Sequence, residues 1–356
     1  MPLRWAKGGV KEVPMNRAAL YDLADRLYRL EPWMWMREEQ IIGLKHPETG
    51  EMGYLSVMGA SGIHRTLAVY LGEEALHRFN LIQEAGYQGI DLRQEDVMTL
   101  VLESRQLQMN FCRRQELFAA ESAEIKALKR KYRGENWPCF RSFKPGHAPA
   151  RAEGEELRWL EVGAEQILAL APALRQDLFG DTRGGKAGLE HMTREWSDGE
   201  WRTVWRARDQ RLHEFATPSA DAALVAEVAA LKAGPQVECQ FELIPAPIGE
   251  EGSAVFPYLA LTVDSRSGAV LGMEMLSLES QSHAELIAQA PNDFLKQWLQ
   301  LGVRPARIQV ATATTAALLD KTAKALKMPL QRVGYLPALD QAVRSLQAFM
   351  RKGQLG

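Results

Sequence analysis

The chain has 356 residues, a length that exceeds what a single hydrophobic core usually supports. We therefore expect two or three domains. Hydrophobic residues make up 46% of it and charged residues 25%, so a packed core is expected and wholesale disorder is excluded. The 43 basic and 45 acidic residues give a formal net charge of −2, which excludes a general electrostatic attraction to nucleic acid or to an anionic membrane.

The three cysteines, Cys112, Cys139 and Cys239, lie far apart in the sequence and form no CxxC pair. Their odd number argues against a framework of disulfides. The first residues carry no apolar stretch typical of a signal peptide. No run of about 18 apolar residues predicts a membrane span. We therefore expect a cytoplasmic protein with no membrane segment.

Residues 1–150 predict an α+β domain of helices and short antiparallel strands. Apolar residues recur at helical spacing over 16–30, which is typical of one face of an amphipathic helix. Residues 40–45 and 52–58 flank a turn that contains proline and glycine, so we expect a hairpin there. The elements predicted next are a strand over 66–71, a helix over 73–85, a strand over 107–112 and a helix over 115–132.

Acidic residues lie between the helix over 73–85 and the strand that follows. They are Asp91, Glu95, Asp96 and Glu103. We expect them to form a solvated face, because carboxylates are seldom buried without a partner. A metal cluster would need ligands that converge, which their spacing does not establish.

The segment 126–151 carries the marked charge asymmetry of the chain, with eight basic residues and the single acidic residue Glu135. Aromatic residues are interleaved with the cations. Cations for phosphates and rings for bases suit single-stranded nucleic acid. The candidate contacts are Lys129, Arg130, Lys131, Arg133 and Trp137. The favoured alternative is a basic helix end, which the helix dipole stabilises, followed by a strand whose aromatic residues belong to the core.

Residues 151–234 predict a helical connecting region with a short β element. Its predicted elements are a helix over 155–178, a β-prone run over 201–207 and a helix over 221–233. Gly234 and Pro235 then mark the end of this last helix. His191 and His213 have no partner at helical or strand spacing, so we expect no metal site in this region.

Residues 235–356 predict a mixed α/β domain. The predicted order is strands over 240–244, 255–263 and 269–277, a helix over 283–301 interrupted near Pro291, a strand over 307–311, a helix over 314–327, a strand over 330–334 and a helix over 339–350. The second and third strands form a hairpin around Asp264. A hairpin-led sheet continued by αβ units predicts helices on both faces.

This order resembles the ribonuclease H-like fold. Such folds hold two metal ions with acids on the first strand, at the end of a later strand and near a C-terminal helix. The resemblance makes Asp264, Glu274 and Asp340 the candidate catalytic residues. Asp264 lies at a hairpin turn, where aspartate is common for reasons of turn geometry. The strand over 308–312 ends without a carboxylate, so we expect any such active site to be absent or lost.

Short motifs carry a second resemblance over most of the chain. They are Glu31-Pro-Trp33, Pro47-Glu-Thr-Gly50, 53–59, 67–72, 137–146, Gly302-Val-Arg-Pro305, 336–340 and Ser345-Leu346. With these motifs the chain resembles a bacterial family built from two tandem domains of unknown function. The resemblance implies an architecture and a bacterial cytoplasmic setting, and it supplies no activity.

The sequence contains no complete catalytic constellation, so two hypotheses of function stay open. The favoured hypothesis is a non-enzymatic cytoplasmic binding or adaptor protein without a cofactor or metal. The sequence does not identify its partner; a protein is the first candidate, ahead of nucleic acid. The alternative is a nucleic-acid-binding protein or a degenerate metal-dependent nuclease-like protein. It rests on the order of elements in the second domain and on the basic, aromatic segment of the first.

Overall fold

The computed structural model describes residues 16–60, 62, 64–88, 92–176, 190–207, 215–279 and 281–353. Of residues 84–88 and 346–353 only the backbone is described. The helices are α1 (Arg17–Leu30), α2 (Glu73–Gln88), α3 (Gln94–Leu102), α4 (Ala119–Ala127), α5 (Glu155–Gln176), α6 (Ala222–Ala229), α7 (His283–Leu301), α8 (Ala313–Ala325) and α9 (Pro337–Gly353). Short 3-10 turns cover Pro32–Met34 and Arg114–Glu116.

The strands of the first part of the chain are β1 (Ile42–Lys45), β2 (Met52–Met58), β3 (Arg65–Leu71), β4 (Gln106–Cys112), β5 (Trp137–Phe143), β6 (Ala150–Arg151), β7 (Glu190–Ser197) and β8 (Glu200–Ala207). Those of the second part are β9 (Lys232–Ala233), β10 (Gln236–Leu243), β11 (Tyr258–Asp264), β12 (Val270–Leu276), β13 (Val303–Arg304), β14 (Arg307–Val310) and β15 (Leu330–Arg332). The protein is thus a mixed α/β protein, as its sequence predicts at that level.

The chain forms two compact units. The described residues of the first unit fall within 1–83, 104–144 and 149–212, and those of the second fall within 84–103, 145–148 and 213–356. The sequence predicts three consecutive parts instead, with a connecting region over 151–234. In the structure α5, β7 and β8 belong to the first unit, because β7 joins the sheet of that unit through a parallel pairing with β1.

The first unit is built on one sheet with the strand order β6-β5-β4-β3-β2-β1-β7-β8. The predicted hairpin is confirmed, since Lys45 pairs with Met52 across the turn between β1 and β2. The α1 helix is also confirmed: its apolar face is buried, and the side chain of Asn16 accepts a hydrogen bond from the Ala19 amide at 3.3 Å. This face packs with α5 on the sheet, which forms the main core of the unit.

The predicted helix over 115–132 is too long. The structure has a 3-10 turn and then α4, which ends at Ala127. Lys129 adopts a φ of 55°, a left-handed conformation that no α-helix continues through. The basic end of the predicted helix is therefore a loop that leads into β5.

The second unit is built on a sheet with the strand order β12-β11-β10-β14-β15. β10, β11 and β12 pair antiparallel, whereas β10, β14 and β15 pair parallel. On one face Val237, Cys239 and Phe241 of β10 share a core with α7 and α8. On the other face Leu259 and Leu261 of β11 share a core with the start of α9.

The predicted break near Pro291 is wrong, because α7 runs without interruption from His283 to Leu301. Proline removes one intrahelical hydrogen bond. Here Leu286, Ala290, Phe294 and Trp298 recur at every fourth position and are all buried against the sheet. Burial of this apolar stripe outweighs the missing bond.

The predicted solvated acidic face is also wrong in part. Asp96 and Glu103 are buried, with 1% and 5% of their surface exposed. The Asp96 carboxylate accepts hydrogen bonds from the amides of Ala313 and Thr314, both at 3.2 Å, at the start of α8. Glu103 accepts a hydrogen bond from the Tyr258 hydroxyl at 2.9 Å. Glu95 is exposed, and Asp91 lies outside the described residues.

Candidate functional site

The basic segment begins in the first unit at the loop after α4, where Arg130 is held by α1. Its guanidinium lies 2.5 Å from an Asp22 oxygen and 2.9 Å from an Asp25 oxygen, and it donates to the Ala18 carbonyl at 2.9 Å. The group also stands 5.6 Å from the centre of the Tyr21 ring. Arg130 therefore has its carboxylate partners inside the fold and anchors the loop to α1.

Other cations of the segment have acidic partners from distant parts of the sequence. Arg141 pairs with Glu121, and Arg151 lies 3.0 Å from Glu124. Lys144 likewise lies 3.5 Å from Glu156. The charge asymmetry of the sequence is thus partly neutralised in the fold. Within the described residues no ion pair involves Lys129, Lys131 or Arg133.

A groove opens where this loop meets the start of β5. We call it the arginine groove, and its volume is about 550 Å³. Its lining residues are Arg113, Arg114, Gln115, Arg133, Gly134, Glu135 and Trp137. Three guanidinium groups and one carboxylate thus surround a single aromatic ring. The excess of positive charge suits an anion, and guanidinium groups present paired donors to phosphate or carboxylate oxygens.

The three arginines of the groove differ in their partners. Arg113 donates two hydrogen bonds to the same Glu135 oxygen, at 2.8 and 2.6 Å, and both side chains are about half exposed. The Arg114 guanidinium carbon lies 5.7 Å from the centre of the Trp137 ring, a cation–π contact. Arg114 and Arg133 have no ion pair among the described residues, so their donors face the groove or solvent.

Trp137 serves both the groove and the core. It is the first residue of β5, pairs with Cys112 of β4, and packs edge-on to Tyr132 with ring centres 5.7 Å apart. The side chain is half-buried and touches the margin of the main core. The predicted core role of Trp137 thus holds for one side of the ring, whereas stacking of its groove side on a ligand stays a prediction.

The structure brings Arg133 and Trp137 together and adds Arg113 and Arg114, which the sequence analysis did not single out. These two arginines precede α4 and are more than twenty positions from Trp137 in the sequence. The antiparallel pairing of β4 with β5 places them beside it. An Arg-Arg pair directly after a predicted strand was the available signal.

The three candidate catalytic acids lie in different surroundings in the second unit. Asp264 accepts hydrogen bonds from the amides of Arg266 and Ser267 at 2.9 and 2.7 Å, which hold the hairpin turn and keep its pKa below the ordinary value. Glu274 lies on β12 near Asp293 and Lys296 of α7, and burial raises its pKa.

Asp340 lies in the first turn of α9, on the other side of the sheet from Glu274. Met273 and Met275 pair with Leu261 and Leu259, whose side chains meet α9, so Glu274 between them points to the opposite face. Across the described part of the chain, no group of three or more His, Cys, Asp or Glu residues is placed to hold a metal ion.

The face of β10 that turns towards α9 carries two acids that the sequence analysis missed. Glu238 is 1% exposed and accepts a hydrogen bond from the Leu339 amide at 2.7 Å, at the start of α9. The pKa of Glu242 is raised to about 7, mainly by burial and also by the charges of Glu95 and Asp340, although a hydrogen bond from Gln240 lowers it. The sequence predicts this strand to start at 240, so Glu238 lies outside the predicted element, whereas β10 starts at Gln236.

Two tandem family models of domains of unknown function match the chain. Residues 18–188 match the domain described as DUF7309, and residues 227–347 match the domain described as DUF6930. No curated protein matches the sequence. None of the described helices combines the length and the apolar composition of a membrane span.

Proposed function

We propose that the chain is a non-enzymatic binding protein of the bacterial cytoplasm that takes an anionic ligand in the arginine groove. The observation that carries the proposal is the arrangement of Arg113, Arg114 and Arg133 around Trp137, with Glu135 as the one acid among the lining residues. An adaptor role fits the same surface, since an acidic or phosphorylated protein segment presents the same oxygens as a small anion.

The lining of the groove supports binding rather than group transfer. Its residues supply guanidinium donors, an amide, a glycine, an aromatic face and one carboxylate, Glu135, which Arg113 already binds. None of these seven side chains is a serine, cysteine or histidine that could act as a nucleophile or proton shuttle. The chemistry available there is recognition of charge and of a flat apolar surface.

Phosphate-bearing ligands fit the groove best. Guanidinium groups bind phosphate oxygens through parallel hydrogen bonds, and a ring beside them can stack on a base. Single-stranded nucleic acid combines both features in a repeated form. The groove offers few cations, so we expect contacts to a short stretch and weak binding at physiological salt.

The test uses the full chain and a fluorescent single-stranded oligothymidylate, with binding followed by anisotropy over a series of salt concentrations. Each phosphate contact adds roughly −0.7 to the log–log slope of affinity against salt for a single strand. We expect the variant with both Arg114→Ala and Arg133→Ala to lose affinity and to show a flatter slope.

Arg202→Ala is the matched control, because Arg202 is an exposed arginine of β8 with Asp198 and Glu200 as partners and lies outside the groove. Its affinity and slope should equal those of the unmodified protein. Equal binding by the groove variant and the unmodified protein would place the ligand elsewhere. Binding of an acidic peptide in place of the oligonucleotide would favour the adaptor role.

A second candidate function is that of a degenerate nuclease-like protein with a ribonuclease H-like second domain. The strand order β12-β11-β10-β14-β15, with an antiparallel half and a parallel half, supports it. So does the acid Glu242 on the central strand with Asp340 nearby. Cleavage of labelled DNA or RNA with Mg²⁺ or Mn²⁺ that is lost in Glu242→Gln and retained in Asp264→Asn would favour this function; no cleavage at all would remove it.

A further inference from the structure

Cys112 and Cys139 come together in the first unit, although 26 residues separate them in the sequence. They lie on the adjacent antiparallel strands β4 and β5, where Cys112 pairs with Trp137 and Asn110 pairs with Cys139. The two cysteines are thus diagonal neighbours on the same face of the sheet. Each thiol lies close enough to shift the pKa of the other, and the Cys112 thiol donates to the Trp137 carbonyl at 3.4 Å.

The two thiols have unequal surroundings. Cys139 is 3% exposed, whereas Cys112 is only partly buried and is the last residue of β4. The neighbouring Cys139 thiol lowers the pKa of the Cys112 thiol, and the nearby Arg141 charge lowers it too, although burial opposes them. The adjacent Cys112 thiol and burial raise the pKa of the Cys139 thiol. Cys112 is the accessible and more acidic thiol of the pair.

We propose that Cys112 and Cys139 form a redox modification site, in which a hydroperoxide converts the two thiols to a disulfide across β4 and β5. The inference rests on the register of the two strands, which places both cysteines on one face of the sheet as diagonal neighbours, and on the partial exposure of Cys112. It does not depend on the proposed binding function.

The reaction needs only the two thiols and the peroxide. The Cys112 sulfur attacks one peroxide oxygen, the O–O bond breaks, and the departing oxygen leaves as water with the thiol proton, or as alcohol if the peroxide is organic. The Cys139 sulfur then attacks the Cys112 sulfur, the S–O bond breaks, and the hydroxyl leaves as water with the Cys139 proton. The two sulfurs together lose two electrons, and the peroxide gains two.

Closure of the disulfide moves the end of β4. Diagonal neighbours in an antiparallel pair are separated by about 7–8 Å, whereas disulfides join Cα atoms roughly 4.4–6.8 Å apart. The shift is confined to a strand end, because the loop that holds Arg113 and Arg114 follows Cys112 directly. A bond that forms only with such a shift is more easily reduced than a structural disulfide, as a reversible switch requires.

The same shift would change the arginine groove, since Arg113, Arg114 and Trp137 line it. This consequence, unlike the thiol chemistry, rests on the proposed function. The two are separable, because disulfide formation is read by mass and groove occupancy by oligonucleotide anisotropy. If the disulfide forms and oligonucleotide binding does not change, the redox proposal is supported and the proposal that the ligand binds in the arginine groove is contradicted.

The experiment exposes the folded full chain to graded hydrogen peroxide, blocks the remaining thiols and maps the peptides without reduction. We expect an intact mass lower by two hydrogens and one linked peptide pair that joins Cys112 to Cys139. Dithiothreitol should restore both thiols. Cys239 is an internal control, because it is fully buried beside Thr262 in the second unit and should stay unmodified in the folded protein.

Single variants assign the roles. Cys112→Ser should abolish the link and leave Cys139 unoxidised. Cys139→Ala should also abolish the link, but should leave a sulfenic acid on Cys112 that a cyclic diketone captures; this variant keeps the buried site apolar, so it guards against misfolding. Cys239→Ala should link as the unmodified chain does. Free thiols at every peroxide dose, a link that includes Cys239, or a diketone adduct on Cys139 would overturn the proposal.

Discussion

The buried ion pair between Arg141 of β5 and Glu121 of α4 should make a large contribution to the stability of the first unit. Glu121 has none of its surface exposed and Arg141 has 7%. The Glu121 carboxylate also accepts hydrogen bonds from the amides of Phe118 and Phe140, at 3.0 and 3.3 Å. Arg141 donates to the Glu116 carbonyl at 2.9 Å, and its guanidinium carbon lies 4.2 Å from the centre of the Phe118 ring.

Arg141→Met keeps the apolar stem of the side chain and removes the charge, which leaves the Glu121 carboxylate buried without a cation. Breaking a buried pair in this way costs about 3–5 kcal/mol. We expect the lower end of that range, because two backbone amides still bind the carboxylate. Adding Glu121→Gln removes the unpaired charge and should restore roughly 1–2 kcal/mol, which is the size of coupling seen between contacting residues.

Urea unfolding followed by tryptophan fluorescence measures these free energies. The matched control is Arg113→Met, because Arg113 and Glu135 form a pair of similar geometry with side chains 59% and 49% exposed. Exposed pairs contribute about 0–1 kcal/mol. If Arg141→Met costs no more than Arg113→Met, the buried pair does not hold α4 on the sheet and the reasoning is refuted.

Three further predictions concern a turn, a titration and a fragment. Gly50→Val should lower stability by roughly 1 kcal/mol or more, because Gly50 has a φ of 74° and only the Lys45 side chain lies near, so the cost is conformational; an unchanged melting temperature would contradict it. Burial raises the folded-state pKa of Glu242 to about 7, above its unfolded value, so the folded state binds the extra proton. The unfolding free energy should therefore fall by up to about 3 kcal/mol as the pH rises from about 4.5 to 7, and this fall should vanish in Glu242→Gln. A fragment that starts at residue 235 should fold with a cooperative urea transition, at a lower midpoint than the full chain because it lacks Asp96 and Glu103, which bind α8 and β11. Its midpoint should lie below that of a fragment from 215, which keeps the fully buried Val228 of α6; equal midpoints would show that α6 adds nothing.

Local chemistry made much of the fold predictable from the sequence. The hairpin between β1 and β2 and the hairpin between β11 and β12 are both confirmed, because their turn residues and flanking β-prone runs act over a few positions. The end of α4 was not predictable, because the left-handed conformation at Lys129 is imposed on a residue type that helices favour. The continuity of α7 through Pro291 likewise depends on the sheet beneath it.

The candidate site was only partly predictable, because the sequence does not show which residue each charged side chain pairs with. The basic segment was found, yet Arg130 turned out to be held by Asp22 and Asp25, about a hundred residues earlier. The arginines that complete the groove, and the meeting of Cys112 with Cys139, follow from the register of β4 on β5. A strand register is a property of the whole sheet and is not encoded at either position alone.

The buried acids of the second unit bear on the nuclease-like alternative. Asp96 and Glu238 are each bound by backbone amides at the first turn of a helix, α8 and α9 respectively, where the helix dipole also stabilises a carboxylate. These two acids are thus committed to holding helices on the sheet. Glu242 differs, because its pKa near 7 leaves it partly protonated at neutral pH and its electrostatic neighbours are other acids. If Glu242 and Asp340 coordinated two divalent cations, the positive charges would lower the pKa of Glu242. If Glu242 is purely structural, added cations should leave its pKa unchanged. A titration of Glu242 that stays near pH 7 when Mg²⁺ or Mn²⁺ is added therefore argues for the binding protein and against a metal-dependent relative of nucleases.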